Sequence, residues 1–155
     1  MSEAQTRKIA AHHLEREACL YVRQSSLRQV MRHTEGSRRQ YGLKHKAVAL
    51  GWAAERIRVI DEDQGKSGAY SANRTGFRDL MARIAAGEVG IVLGLEVSRL
   101  ARDNADWHQL LRLAGITDTL ILDEAGIYDP NDGNDKLVLG FKGTLSEYEL
   151  QGIRA

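Results

Sequence analysis

One cysteine, Cys19, stands in 155 residues. That excludes an intrachain disulfide scaffold and any multi-cysteine zinc site, and it points to a reducing, cytoplasmic setting. No apolar run approaches the roughly 20 residues of a membrane span. The opening stretch MSEAQTRKIAAHHLEREACL lacks the apolar core of a secretion signal. Internal repeats, low-complexity tracts, linkers and a dinucleotide-binding fingerprint are also missing. The remaining composition, 43% hydrophobic and 28% charged, is that of one globular domain with a sizeable core.

The net charge of +1 conceals an asymmetry. Residues 1–58 carry 12 Lys and Arg against 5 acidic residues (+7), and residues 59–155 carry 10 against 16 (−6). A basic half is the pattern of contact with a polyanion, although uneven sorting of surface charge produces it as readily.

Apolar spacing alternates between strand-like and helix-like stretches. Residues 19–24 (CLYVRQ) read as a first strand, with Tyr21, Arg23 and Ser25 on one side by the two-residue period. A helix over 36–51 carries Tyr41, Ala47, Val48 and Gly51, and Arg56–Asp61 is a second strand. Phe77, Leu80, Met81 and Ile84 define an amphipathic helix that stops near Gly87. Val89–Leu95 is a continuous apolar run, as in a parallel strand buried on both faces. Asp103 or Asn104 can cap a helix through Trp107, Leu110, Leu111 and Ala114 that closes at Gly115. Thr119–Leu122 is a further strand, and the turn-rich Asp129–Gly133 precedes a last helix from about Asp135, with Leu137, Phe141, Leu145, Tyr148 and Gly152 on its apolar stripe.

This alternation predicts an α/β fold: a mainly parallel central sheet of about four to five strands, flanked by helices, with a long C-terminal helix. Residues 1–17 are polar and weakly periodic and are expected to be a loosely held extension; 18–134 form the α/β domain, and 135–155 begin the long helix, which reaches the chain end without a stop signal. Ligands of open parallel sheets bind beyond the carboxyl ends of the strands. Gln24–Gln29, Glu62–Arg74 and Glu96–Arg102 fall there.

Several familiar signals fail on spacing. Gly65-Lys66-Ser67 resembles the tail of a phosphate-binding loop, but Ile60 stands where the opening glycine belongs. The same Ser67 is no nucleophile elbow, because Ala69 replaces the second glycine. Asp129–Asp135 sets its glycine one residue early for a calcium loop and has no closing glutamate. His12 and His13 diverge by about 100° on a helix, so they are expected to be surface histidines rather than a metal pair.

One constellation survives. Arg23 and Ser25 share one side of a strand end. Arg99 and Arg102 lie three apart just past the buried third strand, where one helical turn puts both guanidiniums on one face. Arg74 closes the loop after the second strand. Planar guanidiniums grip phosphate through paired hydrogen bonds, so arginines around a serine describe a site for a phosphodiester under attack. With no histidine placed as base, the guanidinium field would lower the hydroxyl's effective pKa and stabilise the equatorial oxygens of the transition state. The bland alternative is that Arg23, Arg99 and Arg102 form surface ion pairs with Asp61, Glu96 or Asp103.

Tyr21-x-Arg23-x-Ser25, Asp63-x-Gly65-x-Ser67-Gly68, Arg74-x-Gly76-Phe77 and Ser98-Arg99-Leu100-x-Arg102 occur in the order and approximate spacing of the serine recombinase catalytic domain. From about Leu20 onward the chain resembles the resolvase, invertase and large serine integrase superfamily, and Val22–Val30 is most similar to the larger recombinases. The resemblance implies a resolvase-type fold, DNA as partner, and strand cleavage and rejoining through a 5′-phosphoserine, with no metal, nucleotide or other cofactor. It implies Ser25 as nucleophile, with Ser26 the less favoured choice. Arg23, Arg99 and Arg102 would surround the phosphate and Arg74 would add a further cation. Tyr21, Gln29, Asp63, Ser67 and Ser98 match supporting positions, and Glu149 matches a glutamate of the long helix, which in the family pairs subunits into dimers and tetramers. Ser98 departs from the aspartate of small resolvases, and Leu150 replaces an arginine beside the glutamate. The chain ends at Ala155 with no DNA-reading domain after that helix, as in a catalytic domain alone. Two other classes stay open from the residues: a catalytically silent α/β module that binds phosphate or protein, and a metal-dependent nuclease using Asp61, Glu62 and Asp63.

Overall fold

The apolar run Val89–Leu93 is buried at every position and forms β3, the middle strand of a five-stranded sheet. Around it lie β1 (Glu17–Arg23), β2 (Ile57–Glu62), β4 (Leu120–Leu122) and β5 (Ile127–Tyr128), in the order β2-β1-β3-β4-β5. β1 pairs in parallel with β2 and β3, and β3 with β4; β5 returns antiparallel to β4. The computed structural model describes residues 3–23, 33–62, 75–94 and 104–154. This is the mostly parallel α/β layering that the alternating apolar pattern predicts.

Strand alternation divides the core in two. Cys19 and Tyr21 of β1, Val92 of β3 and Ile121 of β4 face one side, where Phe77, Leu80 and Ile84 of α4 (Thr75–Ala85), Trp107, Leu110 and Ala114 of α5 (Asn104–Thr117) and Leu139 of α6 (Gly133–Arg154) cover them. Ala18, Leu20, Ile91, Leu93, Leu120 and Leu122 face the other side. That side is covered by Leu43 and Ala47 of α3 (His33–Leu50), by Trp52, and by Ile9 and Leu14 of the N-terminal segment.

Element ends differ from expectation for local reasons. α3 stops where Gly51 takes φ 123°, and Val48, expected on its apolar side, is 47% exposed. α5 runs past Gly115 to Thr117, because Asp118 rather than the glycine takes the left-handed turn (φ 57°) and the Thr119 N–H closes on the Ala114 carbonyl. Asn104 is the first residue of α5; Asp103 lies outside the described residues. α6 starts at Gly133, two residues early, because the Asp132 carboxylate accepts the Asp135 N–H at 2.9 Å as an N-cap.

The expectation of a loosely held N-terminal extension is corrected. Two single-turn helices, α1 (Glu3–Thr6) and α2 (Ala11–Leu14), lie on the sheet, with α1 against β5 and α2 against β1 and β3. The segment reads as polar because its anchors are polar: Gln5, Lys8 and Arg16 bond to distant residues, and His13 faces Asp118 at 3.5 Å. No described helix is long and apolar enough to cross a membrane.

Candidate functional site

The carboxyl edge of the parallel strands is where the candidate residues enter. β1 ends at Arg23, opposite Glu62 at the end of β2. β3 is followed by Gly94, whose N–H bonds the carbonyl of Leu122 at the end of β4 (3.1 Å). Segments 24–32, 63–74 and 95–103 therefore leave from the same edge of three adjacent strands, with β1 between β2 and β3. Neighbouring strands are about 4.8 Å apart, so the three departure points span about 10 Å.

Tyr21 is buried, and its ring meets Phe77 edge to face, with centroids 6.5 Å apart and planes at 87°. It thus ties the strand that leads into segment 24–32 to α4, the helix that follows segment 63–74. Two residues below it, burial pushes the Cys19 thiol up to about 12, which makes it an inert core group rather than a nucleophile. Arg23 is the last residue of β1, and Glu149 lies on α6. Ser25 and Gln29, then Asp63, Ser67 and Arg74, then Ser98, Arg99 and Arg102 lie outside the described residues. Ser26, weighed as the other nucleophile, does too.

At the same edge lies a pairing the sequence reading did not single out. Asp123, directly after β4, is buried; its Oδ1 accepts the Ala125 and Gly126 N–H groups (2.8 and 3.1 Å), and its Oδ2 accepts from Lys142 Nζ of α6 at 3.1 Å. The ammonium also sits 5.4 Å from the Tyr128 ring centre. Burial pulls the Lys142 pKa down, but the bond and charge of Asp123 outweigh it and leave the ammonium above its usual range. Burial, with Asp123 beside it, raises the Tyr128 hydroxyl. The bridge fastens α6 to the edge from which the candidate segments leave. An aspartate ending an apolar strand before a small-residue turn was the readable signal; the partner 19 residues away was not.

The histidine pair is a second correction. His13 is buried, only 3% exposed, and its Nε2 faces Asp118 Oδ1 at 3.5 Å, while His12 Nε2 meets Asp118 Oδ2 at 2.5 Å. The 100° divergence is overcome because the two carboxylate oxygens of Asp118, in the turn after α5, each approach one ring's Nε2, while the ring centroids are 4.1 Å apart. Among the described residues, this triad has ligand atoms within 4.8 Å of one another, a spacing a cation could share. Its chemistry opposes one. His13 Nδ1 accepts the Ala10 N–H (2.9 Å), so the ring proton of the neutral imidazole sits on Nε2, the atom a metal would need.

A family model described as "Resolvase, N terminal domain" matches residues 18–155. The chain is similar to an uncharacterized protein, y4bA/y4pH, of Sinorhizobium fredii, at 60% identity over 148 residues, 96% of this chain and 21% of that protein. The chain thus spans about a fifth of that relative's length. Among solved structures, it is similar to a resolvase family site-specific recombinase from Streptococcus pneumoniae, with 26% identity and TM-score 0.56 over 90% of this chain and 91% of that one. It also shares the fold of the N-terminal catalytic domain of TP901-1 integrase, with TM-score 0.57 and 20% identity over 88% of this chain and 98% of that one.

Proposed function

From the premise that this chain belongs to the resolvase family, matched over its N-terminal domain, we propose that this recombinase-type domain cuts and rejoins DNA through Ser25. The observation that carries the reading is topological: the segment with Ser25 leaves from β1, between the two strands whose continuations carry Arg74 and the Arg99–Arg102 pair. The roots of these segments share one strand edge, which supports a reading in which their arginines gather around one hydroxyl, the distribution that a dianionic transition state calls for.

The reaction is a pair of transesterifications. The Ser25 oxygen bonds the scissile phosphorus as the bond to the 3′ oxygen breaks; the serine proton is given up and the departing 3′ oxygen takes one. The phosphodiester becomes a 5′-phosphoserine of similar energy, so the 3′-hydroxyl of an exchanged strand reverses the step with no external energy source. Arg23, Arg74, Arg99 and Arg102 hold the phosphate oxygens. Gln29, Asp63, Ser67 and Ser98 support the loops that carry them, and Tyr21 holds the strand beneath. DNA is the substrate, and copies of the chain assemble through α6, which carries Glu149.

The test is a covalent one. The protein is incubated with duplex DNA containing its recombination site, quenched in detergent, and assayed for protein attached to a 5′ end. We expect an adduct with the natural chain and none with Ser25→Ala, while Ser26→Ala retains it. An adduct that survives in Ser25→Ala removes Ser25 as the nucleophile; no adduct from the intact protein favours a silent phosphate- or protein-binding module.

A further inference from the structure

We propose that residues 3–16 form a strap that seals the outer edge of the sheet and anchors the root of α6. The strap lies ahead of the residues matched by the family model, which begin at 18, so family membership does not account for it.

The edge it seals is β5. The Asp123 N–H bonds the Gly126 carbonyl at 3.0 Å, which makes the next antiparallel pair, Leu122 and Ile127, the non-hydrogen-bonded kind. The N–H and C=O of Ile127 therefore point away from β4. An outermost strand in this state is a template for pairing with another chain. Here side chains take both groups: Gln5 Oε1 accepts the Ile127 N–H at 2.5 Å, and Lys8 Nζ donates to the Ile127 carbonyl at 2.8 Å. The approach is so close that a Cβ on Gly126 would lie 2.5 Å from Gln5 Oε1. At the other end of the strap, a Cβ on Gly90 of β3 would run into the His13 carbonyl, which also accepts the Trp52 indole N–H at 3.1 Å. One strand and the turn entering another thus lack a side chain where the strap crosses them.

The second task falls to Lys8. The same ammonium that bonds Ile127 lies 2.8 Å from Asp135 Oδ2, in the first turn of α6. Asp135 is 7% exposed, and its Oδ2 also accepts the Asp129 N–H at 3.0 Å, which fixes the turn entering the helix. A carboxylate this buried is costly without a cation, so loss of Lys8 destabilises the turn that launches α6. Arg16 secures the strap's far end by donating to the Thr117 carbonyl at 2.7 Å. One chain segment thus holds the final helix at its base, and, resting on the reading in which α6 pairs subunits, strap docking sets whether that helix is presented in a fixed direction.

The experiment is amide hydrogen exchange on the full chain, comparing the natural sequence with Lys8→Met, which keeps the aliphatic stem and removes the charge, and Lys8→Arg, which restores a cation. We expect exchange across 127–139 to rise about tenfold in Lys8→Met, with α4 and β3 unchanged and with partial return toward natural protection in Lys8→Arg. A Gln5→Leu variant should raise exchange at the Ile127 amide without an equal change at Asp135. Unchanged exchange at 127–139 in Lys8→Met overturns the proposal, and so does a rise spread evenly over α4 and β3, which would mean general destabilisation. These readouts need no DNA. A strap that loosens as expected in a protein forming no 5′ adduct leaves the strap standing and removes only the recombinase reading.

Discussion

His13 is held neutral by two effects that act together. Burial is the larger influence and lowers its pKa below 6.5 against the opposing charge of Asp118, and its Nδ1 already accepts the Ala10 N–H, so a second ring proton would meet a donor. In the unfolded chain the imidazole titrates near 6.5. As pH falls, the unfolded state takes up the proton first. The stabilisation from neutral His13 is therefore full above about pH 6.5 and is lost as pH drops from there through the lower folded value. Asp118 acts in a more acidic window. Burial pushes its carboxyl up, but the His12 bond and the charges of both imidazoles outweigh that and hold it below 3.8. Its contribution survives until pH falls through that depressed value. The expected outcome is a thermal midpoint that declines from pH 7 to pH 5, with a flatter decline in His13→Gln, whose amide cannot take the charge. An unchanged slope in that variant would contradict the assignment.

At the scale of elements, α5 and α6 share apolar packing and a buried hydrogen bond. The Trp107 indole N–H donates to the Leu139 carbonyl at 2.8 Å, and both residues are buried, at 1% and 0% exposure. Nearby, Gly115 lets the Asn131 side chain approach and bond its carbonyl at 2.9 Å. Trp107→Phe keeps most of the apolar area but removes the donor and leaves space beside Leu139. A loss of about 1–3 kcal/mol in urea unfolding is expected, with hydrogen exchange rising first along 133–143. A stability within error of the natural chain would show that the two helices are held by apolar contact alone. The role of Gly115 also explains why the sequence reading ended α5 too soon: glycine commonly marks a helix end, but here it serves a side-chain approach.

At the scale of the whole molecule, α6 has more apolar surface than the sheet consumes. Its buried positions, Asp135, Leu139 and Gly143, recur every four residues, whereas Leu137 and Phe141 on another side are 71% and 65% exposed. In the sequence, Leu145 and Tyr148 continue the spacing of that outer stripe. A second copy of the chain is the occupant the recombinase reading requires. The double substitution Leu137→Ser, Phe141→Ser is expected to weaken self-association in sedimentation velocity at least tenfold, while shifting stability by no more than about 0.5 kcal/mol because both sites face solvent. Association unaffected by the pair would move the subunit interface away from this face.

The layers, the parallel strands and the order of the candidate motifs were readable from the chain alone, because two-residue and 3.6-residue periods are local and each motif sits within a few residues. Val89–Leu93 is a buried strand on its apolar run alone, whereas the burial of Tyr21 against Phe77 appears only in the fold. The tertiary structure alone decided which distant polar groups meet: Lys8 with Asp135, Asp123 with Lys142, and both histidines with Asp118. Each joins residues that no local period links, so a stretch that looks like a polar tail becomes part of the fold. The physical reason is that a buried polar group must find its partner wherever the chain brings one, and only the folded path specifies where that is.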